Sequence, residues 1–156
     1  MPYRASSQPP DGNDTGRVAD VLELVLRPMR PEDRNYVLSS WLRSAAESLE
    51  FRRMARSVFF RLYAPVVVDM VDRSTVAVAT LPEAPDVVLG WLAVEGDTLH
   101  YVLTKPRWRQ LGIATFLLRD LAQLPAMYTH RFPPEASSLA PDTWRYEPHR
   151  RFKQEK

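Results

Sequence analysis

Residues 99–118 constrain the fold more than any other stretch. They hold an apolar run, Leu99-His100-Tyr101-Val102-Leu103-Thr104, and a basic turn, Lys105-Pro106-Arg107-Trp108-Arg109. Gln110-Leu111-Gly112-Ile113-Ala114 then opens an apolar helix. A strand that passes through a short turn into a helix places the chain among α/β folds. The first amides of a helix lack intrahelical partners, and the helix dipole adds partial positive charge beside them. Gly112 and Ala114 keep the turn low, so an anion can approach the backbone closely. Lys105, Arg107 and Arg109 set cations around the same spot. The local chemistry is that of a phosphate or pyrophosphate site.

Composition limits the alternatives. A chain of 156 residues with 45% hydrophobic and 26% charged residues fits one soluble globular domain with a single core. No apolar run approaches the ~18 residues of a membrane span, and no secretory leader is evident. With no cysteine, neither a disulfide framework nor a thiol nucleophile is available, and a cytoplasmic location is expected. The net charge of +2 is too small to argue for nucleic-acid binding, although arginines gather near 52–61, 105–109 and 145–151.

Residues 1–19 are poor in apolar side chains and read as a disordered arm; 20–156 read as one domain ending in an irregular, proline-rich segment. Residues 21–27 form a plausible first strand. Arg30-Pro31-Glu32-Asp33 reads as a helix start, with proline first and acids in the opening turn. Val37, Trp41 and Ala45 then recur at helical spacing. A second helix is expected from Glu50, with Phe51, Met54, Val58, Phe59 and Leu62 on one side and Arg52, Arg53 and Arg56 on a solvated face. Pro65 ends or bends it, and 66–73 continue helically. Strands are expected over 74–80, 87–95 and 98–104, the last two joined by the hairpin turn Glu95-Gly96-Asp97. A helix over 114–124 and a strand over 126–130 follow.

This order, β-α-α-β-β-β-α-β, together with Arg109, Gly112 and Ala114 between strand and helix, resembles the GCN5-related N-acetyltransferase (GNAT) superfamily. Arg30-Pro31-Glu32-Asp33, Leu99-His100-Tyr101-Val102, Tyr128-Thr129-His130 and Trp144-Arg145-Tyr146-Glu147-Pro148 resemble short phage- and prophage-associated members. The resemblance implies a mixed α/β fold with a largely antiparallel central sheet flanked by helices. It implies transfer of acetyl from acetyl-CoA to a primary amine. In the family, the strand before the loop parts from its neighbour and its backbone pairs with the pantetheine arm. That role falls on Val102, Leu103 and Thr104, beside Tyr101. The pyrophosphate role falls on Arg107, Arg109, Gln110, Leu111, Gly112, Ile113, Ala114 and Thr115.

His100, with an unperturbed pKa of about 6.5, is the candidate base, set against a histidine bonded to the backbone for structure. Strand alternation places it with Thr98 and Val102 on one face, opposite Leu99, Tyr101 and Leu103. Glu95, a carboxylate at the end of the preceding strand, could act through water, set against a solvated hairpin carboxylate. The resemblance implies a tyrosine as general acid, for which Tyr128 and Tyr146 are available. It implies that the first helix lines the acceptor cleft, which points to Trp41 and Ser44, although a tryptophan at helical spacing also suits a core. His130 and His149 lie far apart without matched carboxylates, so no metal site is expected. Two other readings stay open: a phage-type GNAT-fold protein that modifies nucleic acid, and a GNAT-derived binding module without catalysis. A sheet edge left open by the short C-terminal region could be covered in a homodimer.

Overall fold

The structure, a computed structural model, describes residues 22–119, 127–132 and 138–153. The arm expected over 1–19 and residues 120–124 of the expected helix lie outside them. A six-stranded mixed sheet has its strands in chain order. Strands β1 (Val25–Pro28), β2 (Thr75–Thr80), β3 (Gly90–Glu95) and β4 (Thr98–Thr104) form an antiparallel meander. The short strands β5 (Met127–Tyr128) and β6 (Arg145–Tyr146) extend it in parallel. Helices α1 (Arg34–Ala46) and α2 (Arg56–Arg73) connect β1 to β2, and α3 (Ile113–Leu118) follows β4. The mixed α/β class and the element order are those expected, with β6 as one strand more.

Pro31–Asp33 form a single 3-10 turn rather than the first turn of α1. Its acid is structural: the Asp33 carboxylate accepts the Arg30 N–H at 2.8 Å and two bonds from the Arg27 guanidinium at 2.7 and 3.2 Å. Burial opposes ionisation, yet the Arg27 hydrogen bond outweighs it and holds Asp33 below the usual carboxylate range. The pair fastens β1 to the entry of α1.

Two helical expectations are corrected. Residues 48–54 form successive turns, with Arg52 N–H on Ser48 O at 2.8 Å and Met54 N–H on Phe51 O at 2.9 Å. Arg52 and Arg53 therefore belong to a loop and not to a helix face. Helix α2 starts at Arg56 and runs through Pro65 to Arg73. Proline is tolerated there because Pro65 lies on the exposed side, where the carbonyl it leaves unpaired can meet water.

Each face of the sheet carries its own core. Helices α1 and α2 bury Val37, Trp41, Phe59, Val67 and Met70 against Val78, Trp91 and Leu103. Helix α3 buries Ile113 and Leu117 against Ala79, Leu89, Leu92 and Leu99 on the other face. A β-bulge in β4 decides which residues look where. Ala93 is opposite Tyr101 and Val94 is opposite Leu99, which leaves His100 as the extra residue. The expected alternation is thereby overturned. Leu99 shares the α3 face with Val102, whereas Tyr101 and Leu103 face α1 and α2.

Candidate functional site

Among the described residues, strands β4 and β5 pair at two positions, Thr98 with Met127 and Leu99 with Tyr128. The ladder closes with Met127 N–H on Asp97 O at 3.2 Å and Thr129 N–H on Leu99 O at 3.1 Å. Past this point β4 runs on to Thr104 beside β3, and among the described residues no strand lies on its other side. The Lys105 N–H donates to Leu89 O at 2.8 Å, so the Lys105 backbone faces the β3 side. Counting back by strand alternation as far as the bulge, Leu103 and Tyr101 face β3, while Thr104 and Val102 turn their backbone groups toward the gap. The His100 carbonyl is occupied there, accepting from His130 Nδ1 at 2.8 Å. Among the described residues, no strand pairs with Val102 or Thr104 on that side.

The basic turn follows directly. Lys105 Nζ lies 5.1 Å from the Tyr36 ring centroid, a cation–π arrangement. After the 3-10 turn Pro106–Trp108, the backbone becomes left-handed at Gln110 (φ 64°) and again at Gly112 (φ 81°). Gly112 is the residue before α3, and its positive φ suits a side chain without Cβ. Arg107, Arg109, Gln110 and Thr115 are exposed. Among the described residues, Arg107 and Arg109 form no ion pair. Leu111 and Ala114 are half-buried, and Ile113 is buried in the α3 core, where its backbone alone is near the turn.

Beneath the gap lies a buried polar network. His100 Nε2 is 2.8 Å from Glu95 Oε1, and Nδ1 is 3.0 Å from Thr129 Oγ1. Arg73 donates to the same Glu95 oxygen at 2.5 Å. Burial would raise the Glu95 pKa, but hydrogen bonds from His100 and Arg73 prevail and hold it lowered. Burial lowers the His100 pKa despite Glu95, and it lowers His130 further, to well below the usual value.

With both rings neutral the tautomers follow from the partners. A carbonyl only accepts, so His130 carries its proton on Nδ1 and its Nε2 accepts from Tyr63 Oη at 2.6 Å. A carboxylate only accepts, so His100 carries its proton on Nε2 and its Nδ1 accepts from the Thr129 hydroxyl. Arg151 closes the network. It bonds both oxygens of Glu50 at 2.6 Å, donates from Nε to Thr129 O at 2.9 Å, and its own carbonyl accepts from Arg73 at 2.7 Å.

The residues singled out from sequence fall in different places. His100 sits at the gap, but both of its ring nitrogens are engaged by protein groups. Trp41 is fully buried, its ring 5.3 Å from Trp91, 5.2 Å from Tyr101 and 5.8 Å from His130. It fills the core and lines no open cleft, because three aromatic rings enclose it. Ser44 is half-buried and shares a 2.6 Å hydrogen bond with Tyr101 Oη. Tyr128 and Tyr146 are partners across β5 and β6, their rings 5.5 Å apart. The Tyr146 ring also carries Arg131 at 4.1 Å, and its hydroxyl is 3.4 Å from Arg151 Nη2.

Thr129, His130, Tyr63, Glu50 and Arg151 were not selected as site residues by sequence reasoning. Their partners are separated by up to 101 positions, and the only local signal was a histidine beside Tyr128-Thr129. His149 stands apart, exposed and 3.3 Å from Glu147. Among the described residues, no cluster of His, Asp or Glu suits a metal ion, and no helix is long and apolar enough to cross a membrane.

No protein-family model matches this chain, and no curated protein does. Solved structures similar to it include apo YjaB from Escherichia coli, with 17% identity over 64% of this chain and 65% of that one, at a TM-score of 0.49. Another is a GCN5-related N-acetyltransferase, aminotransferase class II, from Rhodopseudomonas palustris, with 18% identity over 62% of each chain and a TM-score of 0.46. The chain thus spans less than two thirds of the length of either protein.

Proposed function

We propose that this chain is an acyl-CoA-dependent N-acyltransferase, with acetyl-CoA as donor and a primary amine as acceptor. The observation that carries the reading is the gap past Leu99. There the strand pair stops after two positions among the described residues, and none of these residues pairs with the backbone of Val102 or Thr104 on that side, directly ahead of a basic, left-handed turn. An extended amide-bearing arm such as pantetheine satisfies the Val102 carbonyl and the Thr104 groups as a neighbouring strand would. Arg107 and Arg109, with the free amides around Gly112, Ile113, Ala114 and Thr115, suit a pyrophosphate.

In this reading the amine nitrogen attacks the thioester carbonyl carbon, and the Val102 N–H stabilises the oxygen that gains charge. The C–S bond then breaks, the acyl group stays on nitrogen, and the amine loses a proton. The CoA thiolate leaves and is protonated. The bonds held by both His100 nitrogens favour a positioning role for that ring. Glu95, a third exposed and held ionised by Arg73, takes the amine proton through water. Tyr128 and Tyr146 are the proposed proton donors to the thiolate. The engaged His100 ring also favours a second reading, a binding module that holds the cofactor without turnover.

Calorimetric titration with acetyl-CoA, followed by thiol release in the presence of a panel of amines, separates these readings. Saturable binding that disappears in a folded Arg109→Glu, Gly112→Val variant, with thiol release for at least one amine, is expected. Binding without thiol release across the panel favours the binding module. No binding to the unaltered chain overturns the acyltransferase reading.

A further inference from the structure

We infer that Arg151 and His130 hold the gap between β4 and β5 open, Arg151 by occupying the acceptor that the next rung of the ladder would use and His130 by engaging the His100 carbonyl beside it. Strand β5 alternates in a way that identifies that rung. Met127 and Thr129 donate their N–H groups to β4, at Asp97 O and Leu99 O, while the Tyr128 carbonyl accepts from Glu147 N–H at 2.8 Å on the β6 side. In a parallel strand the N–H and C=O of one residue face the same neighbour. Thr129 lies one residue past β5, and in a ladder carried on through it the carbonyl would face β4. A continued ladder would give it the next β4 amide that faces the gap, that of Val102.

It receives Arg151 Nε instead, at 2.9 Å. On the opposite strand the carbonyl of His100, the bulged residue beside the gap, receives His130 Nδ1 at 2.8 Å. Thr129, His130 and Arg151 are all buried, so water does not compete for these positions. Two side chains thus satisfy the carbonyls at the gap, and the Val102 amide is left without its strand acceptor.

Arg151 can act in this way because it is itself fixed. Both of its terminal nitrogens bond to Glu50 at 2.6 Å, its guanidinium carbon lies 5.7 Å from the Phe51 ring centroid, and Arg73 binds its carbonyl. The anchor comes from the loop between α1 and α2, so the width of the gap is tied to that loop and to the C-terminal segment. His130 is likewise braced by Tyr63. Arg151 and His130 are positioning residues for the Val102 and Thr104 backbone. That the gap admits an acyl-CoA rests on the reading above; that Arg151 sets its width does not.

The test is residue-resolved amide hydrogen exchange on the full chain, with acetyl-CoA titration in parallel, for the unaltered protein, Arg151→Met and Glu50→Gln. In the unaltered protein the Val102 amide is expected to exchange freely. In Arg151→Met, Thr129 O is released, and Val102 exchange slows by about tenfold or more as the strands close. In Glu50→Gln, which loosens Arg151 through a side chain 40% exposed, the slowing is about threefold. Acetyl-CoA affinity falls in the same order. Glu50→Gln carries the test if Arg151→Met does not fold.

A Val102 amide already protected in the unaltered chain overturns the inference. So does unchanged Val102 exchange in the folded variants, with only the unfolding temperature lowered. Slowed Val102 exchange in a chain that never binds acetyl-CoA supports the inference while removing the acyltransferase reading.

Discussion

Gly90 shows how little room a single residue leaves between sheet and helix. A Cβ placed there would meet the Leu103 carbonyl oxygen at 2.8 Å, with Ile113 Cγ2 at 3.0 Å and Leu117 Cδ1 at 3.3 Å. The first contact is backbone, so β3 and β4 would have to move apart. Gly90→Ala is expected to destabilise the fold by about 1–3 kcal/mol, read as a lower urea midpoint; an unchanged midpoint would show that the strands yield without cost. Ser40 makes the same point for polar atoms. Its hydroxyl accepts the buried Trp91 Nε1–H at 3.0 Å, and Ser40→Ala strands that donor, at a cost of about 1–3 kcal/mol. Equal stability of the Ser40→Ala variant would mean that another acceptor replaces it. At this scale the sequence was legible where the signal was local, as in Arg30-Pro31-Glu32-Asp33. His100 was visible as a histidine on a strand, but the bulge beneath it was not. A bulge is set by pairing with β3, and it reversed the faces inferred from simple alternation.

Among the elements, α2 carries its own liability in Pro65. A proline inside a helix removes one donor and crowds the carbonyl four residues back, a penalty of up to about 3 kcal/mol against alanine. Because Pro65 is exposed, Pro65→Ala restores the helix without disturbing a core. It is expected to stabilise the protein by about 1–3 kcal/mol in urea unfolding. A loss of stability would mean that Pro65 is needed to seat Phe59 and Val67. Among the strands, β4 has the expected limits and β2 differs by one residue at its start, whereas β3 starts three residues later than expected and β1 spans Val25–Pro28 instead of 21–27. The turns of 48–54 were read as helix because Phe51 and Met54 keep helical spacing with Val58. Phe51 does pack on Phe59 and Tyr63, at 5.1 and 4.7 Å between rings, but from a loop. Apolar spacing here identified Phe51 and Phe59 as packed but not the backbone that packs them, and it placed Met54 and Leu62, both exposed, on the same side. Strand β6 escaped notice because two residues hold no periodicity.

For the whole molecule, the decisive charges are those the fold keeps off its interior. His100 and His130 are buried and neutral, bonded into one network that joins β4, β5, the end of α2 and the C-terminal segment. Burial lowers the pKa of both below the usual 6.5, so between their folded values and about 6.5 the unfolded chain binds more protons than the native one. Stability is therefore full above about pH 6.5 and falls as the pH drops, by up to about 1.4 kcal/mol per pH unit for each histidine that stays neutral. The carboxylates act lower. Asp33 and Glu95 are held below their usual 3.8 and 4.5, so their contribution persists above those values and is lost only beneath them. The interval from pH 6.5 to 5 thus isolates the histidines. Urea unfolding across it should show midpoints that fall steadily with acid, and His130→Phe should flatten the slope even though it lowers stability at neutral pH. Midpoints level from pH 7 to pH 5 would mean that the histidines take up protons within the native fold. The Thr129 hydroxyl would then have turned to donate to the His100 carbonyl, 3.2 Å away, freeing its lone pair for a protonated His100 Nδ1.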